Sequence, residues 1–543
     1  MRNKIKFYFL IGAVSFLPLF GIFLTSNLNH THDGLVHLPR IAAYYKALGD
    51  LQIPVRWAGD LNYGYGMPLF NFMYQVPYFI SSIFLFLGFN LVTSFKIVLS
   101  LSYIFSGLFM FAFAKAFFKD TKKAFLVTIF YQFAPFRLIE VLARGSFGEV
   151  YVYAFFPLVL LGLTLLFKKF SVINFIIASV STSLLILSHN SMSLVFFSVS
   201  VGFLVFFSKN KKNLILGSFS LLLGLLMASF YWMPAIFEHK FTYGDFYMKN
   251  VYESRFPSIA EFFSPNLAKD FDLQRGKVPV GLGIFQMISI FLSLILIFKK
   301  KTDIVIKKVL FFALAVLIVS MFFMQPISKL FWINFSYLRQ FQFPWRFMAI
   351  TCFSTSMLSI SFFYFNIFRK KILYVSLIAF VVLSTIPYWK PPEGYDKVDE
   401  KYYWNYPLTS TYYGETDIVW SAGPAKAYPN NRIEVIGGKA VISNFIKKSN
   451  KQTFNIDAKT NAQLVANTQY FPGWRVYIDG KTVPVEFQDQ HWRGMMTFLV
   501  PKGEHDVKLI FEESKIRFFS DIVSLIGVLS LAIFGFSKAK KII

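Results

Sequence analysis

Apolar runs of about 20 residues, most of them closed off by a knot of lysines or arginines, recur along this chain from near its start to near its end. A run of that length matches the hydrocarbon thickness of a bilayer. Only a helix satisfies the backbone of a single segment there. Twelve runs qualify: 5–25, 93–117, 124–140, 150–167, 171–188, 191–208, 213–236, 280–298, 306–324, 346–368, 371–388 and 518–536. A thirteenth, 74–90 (YQVPYFISSIFLFLGFN), is ambiguous by length, and charge decides it. With a cytoplasmic N-terminus and 74–90 not crossing, every strong basic cluster falls inside: Lys119/Lys122/Lys123, Lys168/Lys169, Lys209/Lys211/Lys212, Lys299 to Lys301 with Lys307/Lys308, Arg369 to Lys371, and Lys538 to Lys541. If 74–90 crossed, all of these would move outside while Arg2, Lys4 and Lys6 stayed in. The segment is therefore expected to be re-entrant or interfacial, part of a first outer loop spanning 26–92.

Composition agrees. Hydrophobic residues make up 55% of the chain, aromatics 20% and charged residues only 15%, too apolar a balance for a soluble protein. The formal charge of +26 suggests a nucleic-acid partner at first sight. Many of the lysines and arginines, however, sit in the connections between spans, and no basic stripe interleaved with aromatics exists elsewhere, so nucleic acid is excluded. The single cysteine, Cys352, lies within an apolar run and permits neither an internal disulfide nor a cysteine-based metal site. The start, MRNKIKFYFLIGAVSFLPLFGIFLT, has a basic lead and a near-spanning apolar run but no small-x-small cleavage site, so it is expected to be an uncleaved anchor.

Four long pieces then face outward: 26–92, 237–279, 325–345 and 389–517. The last is polar, and RIEVI, KAVIS, QTFNI, WRVYI, VPVEF, MTFLV and DVKLIF recur in it roughly every ten residues. YIDGKT carries an Asp-Gly hairpin signal. The expected fold is a polytopic α-helical membrane domain (1–388), a C-terminal extracytoplasmic β-sandwich (389–517), and a final span with a basic cytoplasmic tail (518–543). The chain has no Walker or dinucleotide motif, so ATP is not the expected energy source.

Ionisable groups near membrane depth are costly and mark functional sites by default. Nearly all of them gather on the outer side. The first group is in NHTHDGLVHLPR: His30, His32, Asp33, His37 and Arg40, followed by Arg56 and Asp60. Asp33, His37 and Arg40 are spaced i, i+4, i+7, which makes one helical stripe, although Pro39 suggests that a regular interfacial helix begins only there and runs to about Leu48. The second group is FRLIEVLARGSFGEV, where Arg137, Glu140 and Arg144 share a helical face and Glu149 follows a Gly-rich turn. The third is His189-Asn190. The fourth is RQFQFPWRF, with Arg339 and Arg346. Arginines suit phosphate oxygens, a neighbouring carboxylate suits a general base, and outer aromatics such as Trp57, Tyr63 and Tyr65 suit sugar faces.

HDGLVHLPR, LQIPVRWAGDLNYGYGMPLFNF, RGSFGEV, LSHN, YWMPAIFE and FQFPWRF resemble the GT-C membrane glycosyltransferases, in the subset of bacterial YfhO-like and pyruvoyl-tetrahydropterin-synthase-related membrane proteins. The tail QYFPGWRVYIDGKTVPVEF…VPKGEHDVKLIFEE is similar to the β-domain of that subset. The resemblance implies a bundle whose long first outer loop holds interfacial helices. It also implies transfer of a sugar, with inversion, from a polyprenyl-phosphate carrier to a glycan, lipid or protein acceptor. Asp33 is then the general base and Glu149 the second acidic position, preceded by Arg144. His32, His37, Arg40, Arg56, Trp57, Tyr65, His189, Asn190 and Arg346 are expected to contact substrate, with Arg56, Arg144 and Arg346 facing phosphate. The chain departs from the oligosaccharide-transferring branch in having one Glu149 and no Asp-x-Asp or Asp-x-Glu pair, which argues against a required divalent metal; no cofactor is expected.

Plainer readings stand beside these. Asp33 can be a helix cap, and His30, His32, His37 and Asp33 can form a zinc site of no familiar spacing. Arg144 and Glu149 can be a structural ion pair, Arg56 and Arg346 can snorkel to bulk lipid, and His189-Asn190 can be a polar turn. At the level of the whole chain the alternatives are a flippase for lipid-linked saccharides, with the same vestibule but no chemistry, and a scaffold whose β-domain binds polymer. The expected location is the cell membrane, multi-pass, with both termini cytoplasmic and the site outside.

Overall fold

The computed structural model describes residues 2–264, 280–391, 394–409, 411 and 414–539. Helices coincide with all twelve expected spans. Eight segments are long and apolar enough to cross a membrane singly. Two expected straight spans are corrected. Residues 124–140 form Thr121–Gln132 and Pro135–Arg144, bent by 57°, and 213–236 forms Lys211–Met227 and Ser229–Phe237, bent by 68°. Pro135 explains the first break, because its ring cannot continue the preceding helix. Val172–Ile186 and Ile284–Phe298 are only 15 residues each. Side-chain caps define several starts: Asn90, Asp120, Ser171, Asn210 and Asp303 each accept from a backbone N–H two or three residues on.

Following the chain back and forth places the connections Lys119–Lys123, Lys168–Lys169, Lys209–Lys212, Lys299–Lys308 and Arg369–Lys371 at one end of the bundle. The first long loop, the Glu149 turn, the His189 turn, the 325–345 segment and the start of the Lys515–Ala539 helix lie at the other. The ambiguous run is an 11-residue helix, Val76–Phe86, too short to cross. Gln75 and Val76 donate to the Leu187 carbonyl at the end opposite the basic connections. The basic tail beyond Ala539 lies outside the described residues.

The first long loop does not begin its helix at Pro39. The helix runs Gly34–Gly49 with Pro39 inside it. Thr31 Oγ1 accepts from the Gly34 N–H at 3.0 Å, so the cap forms one turn earlier and the proline forfeits one backbone bond in a helix already packed on Leu38, Ile41, Ala42 and Tyr44.

Beyond the membrane helices, a five-stranded sheet and a three-stranded sheet, all antiparallel, share one core. Six of the seven expected runs are strands. VPVEF is not: after Lys481–Val483 comes Pro484, and only an isolated bridge, Glu486 to Thr497, remains. Ala462–Gln469 is a strand with no clean alternation, because six of its residues in a row are buried. Asp479 and Gly480 (φ 49° and 78°) make the hairpin turn. The sandwich proper begins at Ile433. The described residues between 394 and 432 instead strap back over the first loop: Tyr395–Asp396 pairs antiparallel with Leu28–Asn29, and the Glu400 carboxylate accepts from the N–H groups of Leu91 and Val92.

Candidate active site at the end of the bundle

The chain reverses sharply after Arg144. Residues Ile139–Arg144 wind as a π-helix, and Gly145 ends it with φ +64°. A Cβ at Gly145 would stand 2.4 Å from Thr31 Oγ1, so only glycine lets the first loop approach this closely. His32 and Asp33 donate their backbone N–H groups to the carbonyls of Ala143 (3.1 Å) and Arg144 (2.9 Å). Asp33 occupies the cap position of the Gly34–Gly49 helix, yet its carboxylate caps nothing. It turns instead to His32 Nδ1 at 2.7 Å and stands 4.0 Å from Arg144 Nη2.

Arg144 is the hub. Its Nη1 donates to both oxygens of Glu140 (2.6 and 2.7 Å) and to Glu149 Oε2 (3.2 Å), and its Nη2 donates to Glu149 Oε1 (3.2 Å). Its guanidinium lies 4.7 Å over the Trp345 ring. Glu149, the first residue of the Glu149–Lys168 helix, also meets Arg346 Nε at 3.0 Å and His189 Nε2 at 3.8 Å. Arg346 donates onward to the Phe341 carbonyl and to Gln342. Five segments separated by up to 313 positions (33 to 346) thus meet in one cluster. Burial sorts its carboxylates. Glu140 is 0% and Glu149 2% exposed, whereas Asp33 keeps 31%. Burial alone would raise the Asp33 pKa, but the His32 hydrogen bond and the Arg144 charge outweigh it and hold it at about 2.

A second layer is neutral and aromatic. His37 Nδ1 meets the Tyr78 hydroxyl at 2.9 Å, and its ring packs on Phe147. His189 stacks on Tyr74, and its Nδ1 accepts from the Met192 N–H at 3.3 Å. Burial pushes both imidazoles down to about 3, His37 further through Arg40. Asn190 accepts from the Tyr231 hydroxyl and donates to the Phe72 carbonyl, which makes it a brace between helices. Arg40 is buried beside the hydroxyls of Tyr74 and Tyr78, its Nε has no hydrogen-bond partner, and among the described residues it forms no ion pair.

Three expected contacts lie elsewhere. Arg56 is clamped by Glu513 (2.9 Å) and Asp521 (2.6 Å) and donates to the Phe230 carbonyl, tying the first loop to the last helix. Trp57, 1% exposed, is inserted in the β-sandwich core against Trp474 and Phe511, so it offers no face to a sugar. Tyr65 accepts through its carbonyl from Gln469 on the β-domain. The stripe Arg137–Glu140–Arg144 is also corrected. The π-helix alters the angular spacing, and Arg137 is carried away into a box of Tyr103, Tyr131 and Tyr153 rings, 4.2–5.3 Å from its guanidinium.

The zinc alternative fails on geometry. His30 Nδ1 bonds Asp396, His32 bonds Asp33 and His37 bonds Tyr78. No group of three metal-capable side chains gathers among the described residues. The cluster also holds Glu140, expected from the sequence only as part of a face shared with Arg137 and Arg144, and Trp345, which was not among the expected site residues.

No curated protein matches the chain. Among solved structures it is similar to arabinofuranosyltransferase AftD from Mycobacteria, at 14% identity and a TM-score of 0.41, covering 70% of this chain and 27% of that one; the chain spans about a quarter of that protein's length. Residues 70–391, from the close of the first long loop through the last helix before the strap, match the 6-pyruvoyl-tetrahydropterin synthase related domain, described as a membrane protein. More than half of the sequence, with most of the charge cluster inside it, therefore places the chain in the 6-pyruvoyl-tetrahydropterin synthase related family of membrane proteins.

Proposed function

We propose that this protein is a membrane glycosyltransferase that passes a sugar, with inversion, from a polyprenyl-phosphate carrier to an acceptor hydroxyl outside the cytoplasm, with Asp33 as general base. One observation carries the reading. Of the three carboxylates in the cluster, two are sealed onto Arg144, and the third, Asp33, is ionised, oriented by His32 and open to an incoming group. An ionised, positioned carboxylate can accept the acceptor's proton. A pKa near 2 makes it a weak base. That suits a reaction in which departure of the phosphate leads and the hydroxyl loses its proton late, as in an oxocarbenium-like transition state.

Phosphate needs a cation whose charge is not already neutralised by a carboxylate. Arg144, Arg346 and Arg56 are each occupied by carboxylates, which leaves Arg40 as the arginine best suited to a phosphate oxygen. Arg144 contributes a fixed positive field behind Asp33. Reconstitution with a labelled polyprenyl-phosphate sugar tests the reading. Covalent transfer to an added acceptor, abolished in Asp33→Asn, supports it. Label crossing the vesicle wall without transfer would establish the flippase instead.

A further inference from the structure

The strap and the loop before the Met495–Val500 strand form a hollow of about 280 Å³ on the β-domain, lined by Trp420, Gln488, Gln490 and Arg493. We infer that this hollow binds a segment of a carbohydrate chain. The site is built rather than incidental. Trp420 is wedged among Phe241, Tyr470 and Phe487, with ring centroids 5.2–5.6 Å away, and Tyr470 and Phe487 lie flat on each other at 3.8 Å. The loop is tied at its neck by the Glu486–Thr497 pair and by Gly494 donating to Phe487. It is held inside by the Asp489 carboxylate, which accepts from the N–H groups of His491 and Trp492. Gly494 (φ +82°) lets the loop lie against Ser421, where a Cβ would come within 2.8 Å of the Ser421 Cα.

The side chains that face the hollow spend none of their polar capacity inside the protein. Among the described residues, the Trp420 indole N–H, both amides and the Arg493 guanidinium have no hydrogen-bond or ion-pair partner. Such a set, unpaired and carried on a tied loop, is complementary to a ligand rich in paired hydroxyls. Each amide offers a donor and an acceptor side by side, matching the dual character of adjacent hydroxyls. The partly exposed tryptophan adds apolar surface for the C–H side of a sugar ring, and the arginine reads a hydroxyl or a uronic carboxylate. A lone cation is too little for a polyphosphate, and the polar lining is wrong for an acyl chain.

Assigning the bound glycan as the acceptor rests on the transferase reading; saccharide binding itself does not. The full-length protein in lipid nanodiscs is titrated by calorimetry with α- and β-linked glucose hexasaccharides, mannose hexasaccharides and uronic-acid hexasaccharides. At least one probe is expected to bind. Gln490→Ala and Arg493→Ala are exposed changes that leave the fold intact and are each expected to weaken that probe by about 5- to 10-fold, and Trp420→Ala by about 30-fold or more. Asp33→Asn is expected to bind like the wild type. Absence of binding to every probe, or equal binding by the Gln490→Ala/Arg493→Ala double variant, overturns the inference. The transferase reading falls separately, on wild-type turnover by Asp33→Asn.

Discussion

Asp33 and Arg144 are joined twice: the Asp33 N–H donates to the Arg144 carbonyl at 2.9 Å, and the Asp33 carboxylate stands 4.0 Å from the Arg144 guanidinium. The backbone bond sets the position, the His32 hydrogen bond orients the carboxylate, and its partial exposure leaves it open to a substrate. Asp33→Asn keeps the shape and the backbone bond but removes the base. Transfer in proteoliposomes should fall about 10²- to 10⁴-fold, with the fold retained and only a modest drop in melting temperature from loss of the charge that His32 and Arg144 stabilise. Turnover within a few-fold of wild type would remove Asp33 from the mechanism.

Glu149 is predicted to behave in the opposite way. It neutralises Arg144 and Arg346 where neither has water to turn to. Glu149→Gln leaves excess buried positive charge and should destabilise the protein by about 3–5 kcal/mol. The check is unfolding monitored in detergent, and a variant as stable as wild type would show that the cluster is not bound together by this residue.

Arg40→Gln should raise the donor KM by about 10- to 100-fold with a smaller change in kcat, since a lost phosphate contact weakens ground and transition states together. Arg40→Lys keeps the charge without the fork and should recover only part of the loss. Steady-state kinetics with varied donor decides this, and an unchanged KM assigns phosphate to another group.

Acid should act on stability before it acts on Asp33. His37 and His189 have folded pKa values of about 3, well below the ordinary imidazole value of about 6.5. Their neutral forms therefore stabilise the fold above pH ~6.5, and that stability drains away as pH falls towards 3, by on the order of 1 kcal/mol per pH unit per histidine. His37→Phe should flatten the loss, measured as melting temperature from pH 7 to pH 5. Asp33, depressed to about 2, contributes stability that is complete above pH ~4 and disappears only as pH drops through 2. Its protonation should put no acid limb on the rate above about pH 3.

The Arg56 and Trp57 pair should prove structural. Trp57→Ala empties part of the β-sandwich core and should cost about 3–5 kcal/mol, while Arg56→Met should loosen the last helix, read as faster proteolysis at its start near Glu513 and Ser514. Neither should change the donor KM of the folded fraction. A selective KM effect from Arg56→Met would return Arg56 to the substrate site.

Hydropathy and lysine placement made the membrane domain readable, because crossing a bilayer imposes length and charge rules on each segment independently. The hairpin at Asp479-Gly480 was readable for the same reason: a two-residue turn is a local matter. The breaks at Pro135 and near Ala228 were less so, since a bend is a choice about neighbours. In the site, residue types pointed to Asp33, Arg144 and Glu149, but their sorting did not follow from type. Arg56 and Arg144 look equivalent in the chain, yet one ties the first loop to the last helix and the other anchors the cluster.

What the residue string settled, then, was local and one-dimensional: how many apolar segments there are, where the basic ends fall, that a strand-rich region precedes the last helix, and which few ionisable groups are worth explaining. Folding in three dimensions settled which charges find partners. The difference lies in distance dependence. Burial of an apolar run is additive along the chain, whereas an ion pair acts only within a few ångströms and joins residues as remote as Asp33 and Arg144 or Arg56 and Asp521. That is why one carboxylate of three stays open and, of the four arginines expected at the site, Arg40 alone lacks a carboxylate partner among the described residues.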